Sequence, residues 1–189
     1  MFIFFETGTF IQTSLMISFL NMKNIKFLCM ASVFTALICV ITLFLQIPIP
    51  LGYFNIGNCI ILMACLFLPA SYGFIAACIG SALADLLSYP VWTIPTIIIK
   101  GLMVIVFYLL MRIPIKKLYV SRIIAAAICL LIPFAGYTFS GIIIYGNFIT
   151  GLAQAPGLLA EYIVNLILFV VFSAAAYRII PKRSNHESK

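Results

Sequence analysis

The sequence predicts an all-α integral membrane protein, a six-helix bundle with both termini in the cytoplasm. Three observations carry that prediction. Of 189 residues, 65% are hydrophobic and only 8% charged, with a mean hydropathy of +1.26. The apolar residues fall in runs of roughly 20, the length that crosses ~30 Å of hydrocarbon at 1.5 Å per residue. Ten of the eleven basic residues lie on one side of those runs. Eleven basic and four acidic side chains cannot cover the surface of a soluble domain of this length, whereas lipid tolerates such a surface if each segment satisfies its own backbone. The runs lack the alternation of outer-membrane strands, which leaves helices. One membrane domain is expected, over residues 23–182, followed by a polar cytoplasmic tail over 183–189.

Breakers divide the chain. The first span runs from about Phe27 to Ile47 and stops at Pro48 and Pro50. The second is short, from about Phe54 to Leu68 before Pro69, and the third runs from Tyr72 to Tyr89 before Pro90. The fourth runs from about Ile94 to Met111. The fifth, from about Arg122 to Tyr145, contains Pro133 and Gly136, where a kink is expected. The sixth opens at Pro156, a good first-turn residue, and ends at Ile180 before Pro181.

Orientation follows from Lys and Arg. Lys23 and Lys26 precede span one; Arg112, Lys116, Lys117 and Arg122 surround the loop between spans four and five. Arg178, Lys182, Arg183 and Lys189 follow span six. The positive-inside rule makes that side cytoplasmic, and a multi-pass cell-membrane protein is expected. The net charge of +7 is therefore a topology signal rather than a nucleic-acid footprint. Residues 1–22 fit less well. They are apolar but hold Glu6, lack a basic n-region and have no obvious cleavage site, so they make a poor signal peptide. Met22, followed by Lys23-Asn24-Ile25-Lys26, has the form of a natural start. The preceding residues then read as a start-site artefact or a loosely attached interfacial helix.

Little conventional catalytic chemistry is available. The one histidine, His186, lies in the tail, which argues against triads and histidine-metal sites. No glycine-rich phosphate loop ending in Gly-Lys-Ser/Thr is present, so any uphill transport must draw its energy from elsewhere. The six cysteines (Cys29, Cys39, Cys59, Cys65, Cys78 and Cys129) lie inside apolar runs without metal-ligand spacing and read as small packing residues. No metal or cofactor is expected.

Intramembrane charges are the functional candidates, because each costs about 2.5–3.5 kcal/mol at mid-bilayer on insertion scales. There are three: Asp85 near the end of span three, Lys100 near the start of span four and Glu161 near the start of span six. All three helix ends face outside in the topology above, which sets the side chains at one level, roughly 6–9 Å below the outer rim. A polar cavity open to the outside is the expectation. The structural alternative is an Asp85–Lys100 ion pair with Glu161 snorkelling to the interface. Asn165 lies one turn deeper than Glu161 on the same face, and Asn55 and Asn58 open span two at the same side. Tyr53, Phe54, Tyr89, Trp92, Tyr145 and Asn147 populate the outer loops. Aromatic faces with a few fixed polar groups suit a flat, heteroatom-rich small molecule, with Trp92 and Tyr145 as stacking surfaces. Taken singly, Tyr53 or Trp92 equally fits an interfacial belt.

Small residues recur at four-residue spacing. Ala76, Gly80 and Ala84 form a stripe on span three; Ala31/Thr35 and Ser32/Ala36 form stripes on span one. Such stripes let helices approach closely, within the bundle or against a partner.

Three stretches together resemble a known family. They are Gly52-Tyr53-Phe54-Asn55-Ile56-Gly57-Asn58, the run from Gly73 through Gly80 and Asp85 to Leu87, and Pro95-Thr96-Ile97-Ile98-Ile99-Lys100-Gly101. The chain resembles the substrate-binding S components of energy-coupling factor (ECF) vitamin transporters, in the riboflavin-transporter-like branch that includes hydroxymethylpyrimidine and pyridoxine carriers. The resemblance covers residues 23–182 in span count and topology, and it is most specific from Gly52 to Gly101. The family pattern often has Asp where this chain has Asn58, which removes one negative charge near the expected pocket. The resemblance implies a six-helix bundle that captures a small vitamin at its outer face. It implies partners as well, a transmembrane coupling protein and two cytoplasmic ATPases. The small-residue face of the first helix, here Ser32 and Ala36, would contact the coupling protein, and transport would involve toppling of the whole S component.

The expected ligand is a pyridine- or pyrimidine-ring vitamin or precursor, pyridoxine- or hydroxymethylpyrimidine-like, with riboflavin as the alternative. Asp85, Lys100, Glu161 and Asn165 would supply hydrogen bonds, and no covalent chemistry is implied. A stand-alone carrier driven by an ion gradient is the rival class, with Asp85 or Glu161 titrating; no convincing internal repeat supports it. A membrane enzyme is a third class, disfavoured by the lack of a nucleophile–base pair.

Overall fold

The computed structural model describes residues 22–49, 52–113 and 118–179. The readings of residues 1–21 and 183–189 lie outside these. Helix α1 spans Met22–Phe44, followed by a two-stranded antiparallel hairpin of β1 (Ile47–Ile49) and β2 (Gly52–Phe54) in which Pro48 faces Tyr53. Helix α2 is Gly57–Phe67 and α3 is Ala70–Ser88. A single 3-10 turn, Pro90–Trp92, leads into α4 (Thr93–Leu110). Then come α5 (Leu118–Tyr145), the short α6 (Phe148–Leu152) and α7 (Ala155–Ile179).

Five of these helices are long and apolar enough to cross a membrane. The sixth, α2, has 11 residues and reaches only about 16 Å at 1.5 Å per residue. It is shorter than the Phe54–Leu68 span expected from the sequence because residues 52–54 are spent in the hairpin. Such a short helix cannot stand alone in lipid, and it does not. It touches α1, α3, α4 and α7, and its Cys59, Ile61, Leu62, Ala64 and Cys65 are buried. The core forms around it, joined by Ile38, Met103, Phe107, Cys129 and Phe169 from four surrounding helices. The large exposed apolar side chains, such as Leu87, Ile98, Phe139 and Val171, point away from that core and form the surface that lipid covers.

The stripe on α3 packs inside the bundle. Ala76 and Ala84 are fully buried, and a Cβ on Gly80 would lie 2.8 Å from the Thr35 carbonyl of α1. That approach needs glycine. Gly136 admits α4 to α5 in the same way, since a Cβ there would lie 2.8 Å from Ile99, and α5 continues as one helix through Pro133. Ser32 and Ala36 are exposed on the other side of α1.

Side-chain contacts identify the two ends of the bundle. At one end the hairpin region meets the end of α3, where Gln46 Nε2 donates to Ser88 Oγ at 3.0 Å and Tyr53 stacks on Tyr89 with centroids 5.2 Å apart. At the other, Phe27 of α1 lies against Tyr72 of α3, and Tyr108 Oη donates to the Leu68 carbonyl at 2.8 Å. The three expected intramembrane charges all belong to the hairpin half.

Candidate functional site

The site is assembled from the hairpin inward. A buried helix start needs acceptors for its orphan N–H groups, and at α2 two asparagines provide them. Asn55 Oδ1 accepts from the Gly57 amide at 2.8 Å, and Asn165 Oδ1, from α7, accepts from the Cys59 amide at 2.8 Å. Asn165 then spends both amide protons, donating to the carbonyls of Asn55 and Glu161 at 2.9 Å each. One side chain thus ties α7 to the hairpin exit and to the first turn of α2.

Beside this junction runs a buried charged chain. The Lys100 ammonium donates to Asn58 Oδ1, and Asn58 Nδ2 donates to Glu161 Oε1 at 2.6 Å. Lys100, Asn58 and Glu161 are all buried. An amide suits this place because it offers an acceptor to the cation and a donor to the anion at once. A carboxylate at 58 could do only the first. The Lys100 ammonium also lies 5.1 Å from the centroid of the Tyr137 ring, a cation–π separation.

Tyr137 also lines a hollow with about 340 Å³ of space not filled by atoms, solvent at its mouth included. Tyr53, Trp92 and Tyr137 give it aromatic faces, Leu158 an aliphatic one, and Asn55, Asp85 and Gln154 its polar groups. Tyr53 Oη donates to Asp85 Oδ1. Burial and the adjacent Asp85 carboxylate hold the Tyr53 phenol well above its ordinary range, so it remains the donor. Trp92 meets Tyr137 edge to face with centroids 5.8 Å apart, and the Tyr137 hydroxyl pairs with Thr96 Oγ1 at 2.9 Å. Each ring is thereby held before any ligand arrives.

The expected site residues therefore divide. Asn55, Asp85 and Trp92 are in the wall of the hollow. Lys100, Glu161, Asn58 and Asn165 form the buried layer next to it, bonded to one another and to backbone. Tyr145 is 42% exposed and meets Trp92 at a centroid distance of 6.4 Å, outside the lining. Asp85 has Tyr53 and Thr96 as hydrogen-bonding neighbours, and the Lys100 charge acts on it from further off rather than as the ion pair of the sequence alternative. Sequence reasoning missed Tyr137, Gln154 and Leu158. A signal existed for Tyr137, a polar-tipped ring one turn after Pro133 in an otherwise apolar span. Gln154 offered a weaker one, as an uncharged polar residue in an apolar connection.

Comparison with known proteins bears on this arrangement. The solved S component of a bacterial ECF transporter has a similar fold, with a TM-score of 0.63 at 21% identity over 83% of this chain and 98% of that one. A protein of Pyrococcus woesei described as an uncharacterized protein in gap 3'region is 49% identical over 65 residues, 33% of this chain. The chain spans 43% of the length of that curated relative. The family model of the ECF-type riboflavin transporter S component matches residues 22–178. A match that runs from the first described residue almost to the last accounts for every span of a multi-pass membrane bundle: the chain belongs to the family of ECF-type riboflavin transporter S components.

Proposed function

We propose that this chain captures a small, single-ring, water-soluble vitamin or precursor, pyridoxine- or hydroxymethylpyrimidine-like, for ATP-driven uptake by partner subunits. The observation that carries the reading is the hollow at the hairpin end, with one carboxylate, Asp85, among preset aromatic faces. Its wall combines three aromatic rings with an aliphatic side chain and the polar groups of Asn55, Asp85 and Gln154, the mixture of apolar faces and a few fixed polar groups that marks small-molecule sites. Such a wall suits a flat ring with short polar substituents, and riboflavin is the alternative ligand.

The hairpin end faces the outside in this reading, because Lys26, Arg112 and Arg122 belong to the other end and the positive-inside rule sends that end to the cytoplasm. A ligand would enter from water and sandwich its ring against Trp92, Tyr137 or Tyr53. It would place a donor nitrogen or hydroxyl on Asp85, where a charged hydrogen bond contributes about 1.5–3 kcal/mol. The chain is a binding subunit and not an enzyme. The family supplies the class of partner, a transmembrane coupling protein with two cytoplasmic ATPases, and the exposed Ser32 and Ala36 on α1 offer a face for the coupling protein.

Isothermal titration of the purified chain with pyridoxine, hydroxymethylpyrimidine and riboflavin tests the substrate. Saturable binding of a single-ring compound is expected. Binding of riboflavin alone would move the assignment to the tricycle. Pull-down of the tagged chain from its native membrane should bring an ATPase pair with it, and uptake by the chain alone in proteoliposomes under an ion gradient would refute the partnered mechanism.

A further inference from the structure

Gln154 is 2% exposed, it lines the hollow, and its Nε2 has no hydrogen-bond partner among the described residues. A buried amide left unsatisfied forfeits its hydration without replacement, so its retention here calls for a compensating role. The fold makes room for it deliberately. The carboxamide rests over Gly141 of α5, where any Cβ would collide with Nε2. It stands on the short connection between α6 and α7, and its own backbone carbonyl accepts from the Leu158 amide at 3.0 Å, so α7 fixes its root. The other polar side chains of the wall are already engaged: Asp85 by Tyr53, Asn55 by Gly57, and Tyr137 by Thr96. Of the polar side-chain atoms in this wall, only Gln154 Nε2 is both fully enclosed and without a partner among the described residues.

We infer that Gln154 is a specificity-determining ligand contact, and that with Asp85 it selects a flat heterocycle carrying both a donor and an acceptor on its rim. The inference rests on the small-ring reading given above. Asp85, which is acceptor-only when ionised, takes an N–H, O–H or protonated ring nitrogen. The Gln154 amide, turned about its terminal bond, gives its N–H to a ring nitrogen or hydroxyl oxygen of the same molecule. Aromatic hydrocarbons of the same size satisfy neither group and leave both desolvated, so they are rejected although the faces of the hollow are aromatic.

The test is titration of the full chain with pyridoxine, hydroxymethylpyrimidine and riboflavin, in wild type and in Gln154→Leu, Gln154→Glu and Gly141→Ala. Each substitution is expected to weaken the probe that wild type binds by tenfold or more; Gly141→Ala does so without altering any wall residue, by displacing the amide. Analogues of that probe lacking one ring nitrogen or one hydroxyl at a time provide the readout that a merely structural role would not move. One of them should bind wild type and Gln154→Leu equally. If the probe binds Gln154→Leu as tightly as wild type, or if every analogue loses the same factor, the inference falls and the small-ring reading stands. If wild type binds neither single-ring probe, that reading falls and takes this inference with it.

Discussion

Two polar regions lie side by side in the hairpin half of the bundle, and they solve the problem of a charge among apolar helices in opposite ways. In the buried layer, Lys100, Asn58 and Glu161 satisfy one another, cation to amide to anion, with Asn165 closing the backbone around them. In the hollow, Asp85 has the hydroxyls of Tyr53 and Thr96 for company and open space in front of it. Charge inside a membrane span is a functional candidate by default, but the comparison shows that the criterion needs a second half. A charge that has used its partners holds the fold, and a charge that still faces space is available to a ligand.

The sharpest way to break the comparison is to remove one member of the satisfied set. Lys100→Met leaves the Glu161 carboxylate buried without its cation, and losing one partner of such a pair costs about 3–5 kcal/mol. Thermal unfolding in detergent, followed by a thiol-reactive dye that reports exposure of the buried Cys59, Cys65 and Cys129, should show a large drop. The double variant Lys100→Met/Glu161→Gln should recover part of it, since removing both charges is often near neutral. Single variants that melt like wild type would mean that the layer is not holding the fold.

Asp85→Asn should do the reverse. Asparagine still offers an oxygen to Tyr53, so the melting curve should stay close to wild type, while the charge-assisted bond to ligand, about 1.5–3 kcal/mol, is weakened. Titration should then show affinity lower by roughly 10–100-fold. Equal affinity for wild type and Asp85→Asn would take Asp85 out of the site.

Asn58→Asp tests the same contrast more gently. The new carboxylate keeps the bond to Lys100 but loses the donor to Glu161 and faces it with like charge. A cost of about 1–3 kcal/mol is expected for the lost bond and the desolvated acceptor, again read by melting. Improved stability would show that the family's more frequent residue suits this layer better than the amide does.

How much of this was readable in the sequence depends on what kind of signal carried it. The helices were readable because proline and hydrophobic run length dominate in lipid: Pro69 and Pro156 lie one residue from the starts of α3 and α7, and Pro90 opens the 3-10 turn that leads into α4. The hairpin was not. Its strands have three residues each, too few for a periodicity, and the pairing of Ile47 with Phe54 across two prolines is a tertiary choice. The ionisable site residues were conspicuous because charge is rare here. Their division into a satisfied layer and an open wall depends on Asn58 standing between Lys100 and Glu161, a fact about helix rotation that spacing along each helix does not contain. Gln154 and Tyr137 carry no charge, and their place in the wall follows from how α5 and α7 meet.

The smallest expected effect separates a wall residue from its neighbour. Tyr145 was expected to stack on ligand, yet its ring stands 6.4 Å from that of Trp92 and is 42% exposed, outside the hollow. Trp92 is buried, lines the hollow and is held edge-on by Tyr137. Trp92→Ala removes a preset aromatic face, and stacking of a base on such a face is typically worth ~1–3 kcal/mol, so titration should record a loss of about tenfold. Tyr145→Ala removes only an outer neighbour of that face and should change affinity by less than about twofold, the scale of a few tenths of a kcal/mol. Equal losses for the two would mean that the ligand rides higher in the mouth than the lining implies, stacking between Trp92 and Tyr145 instead of settling against Tyr137.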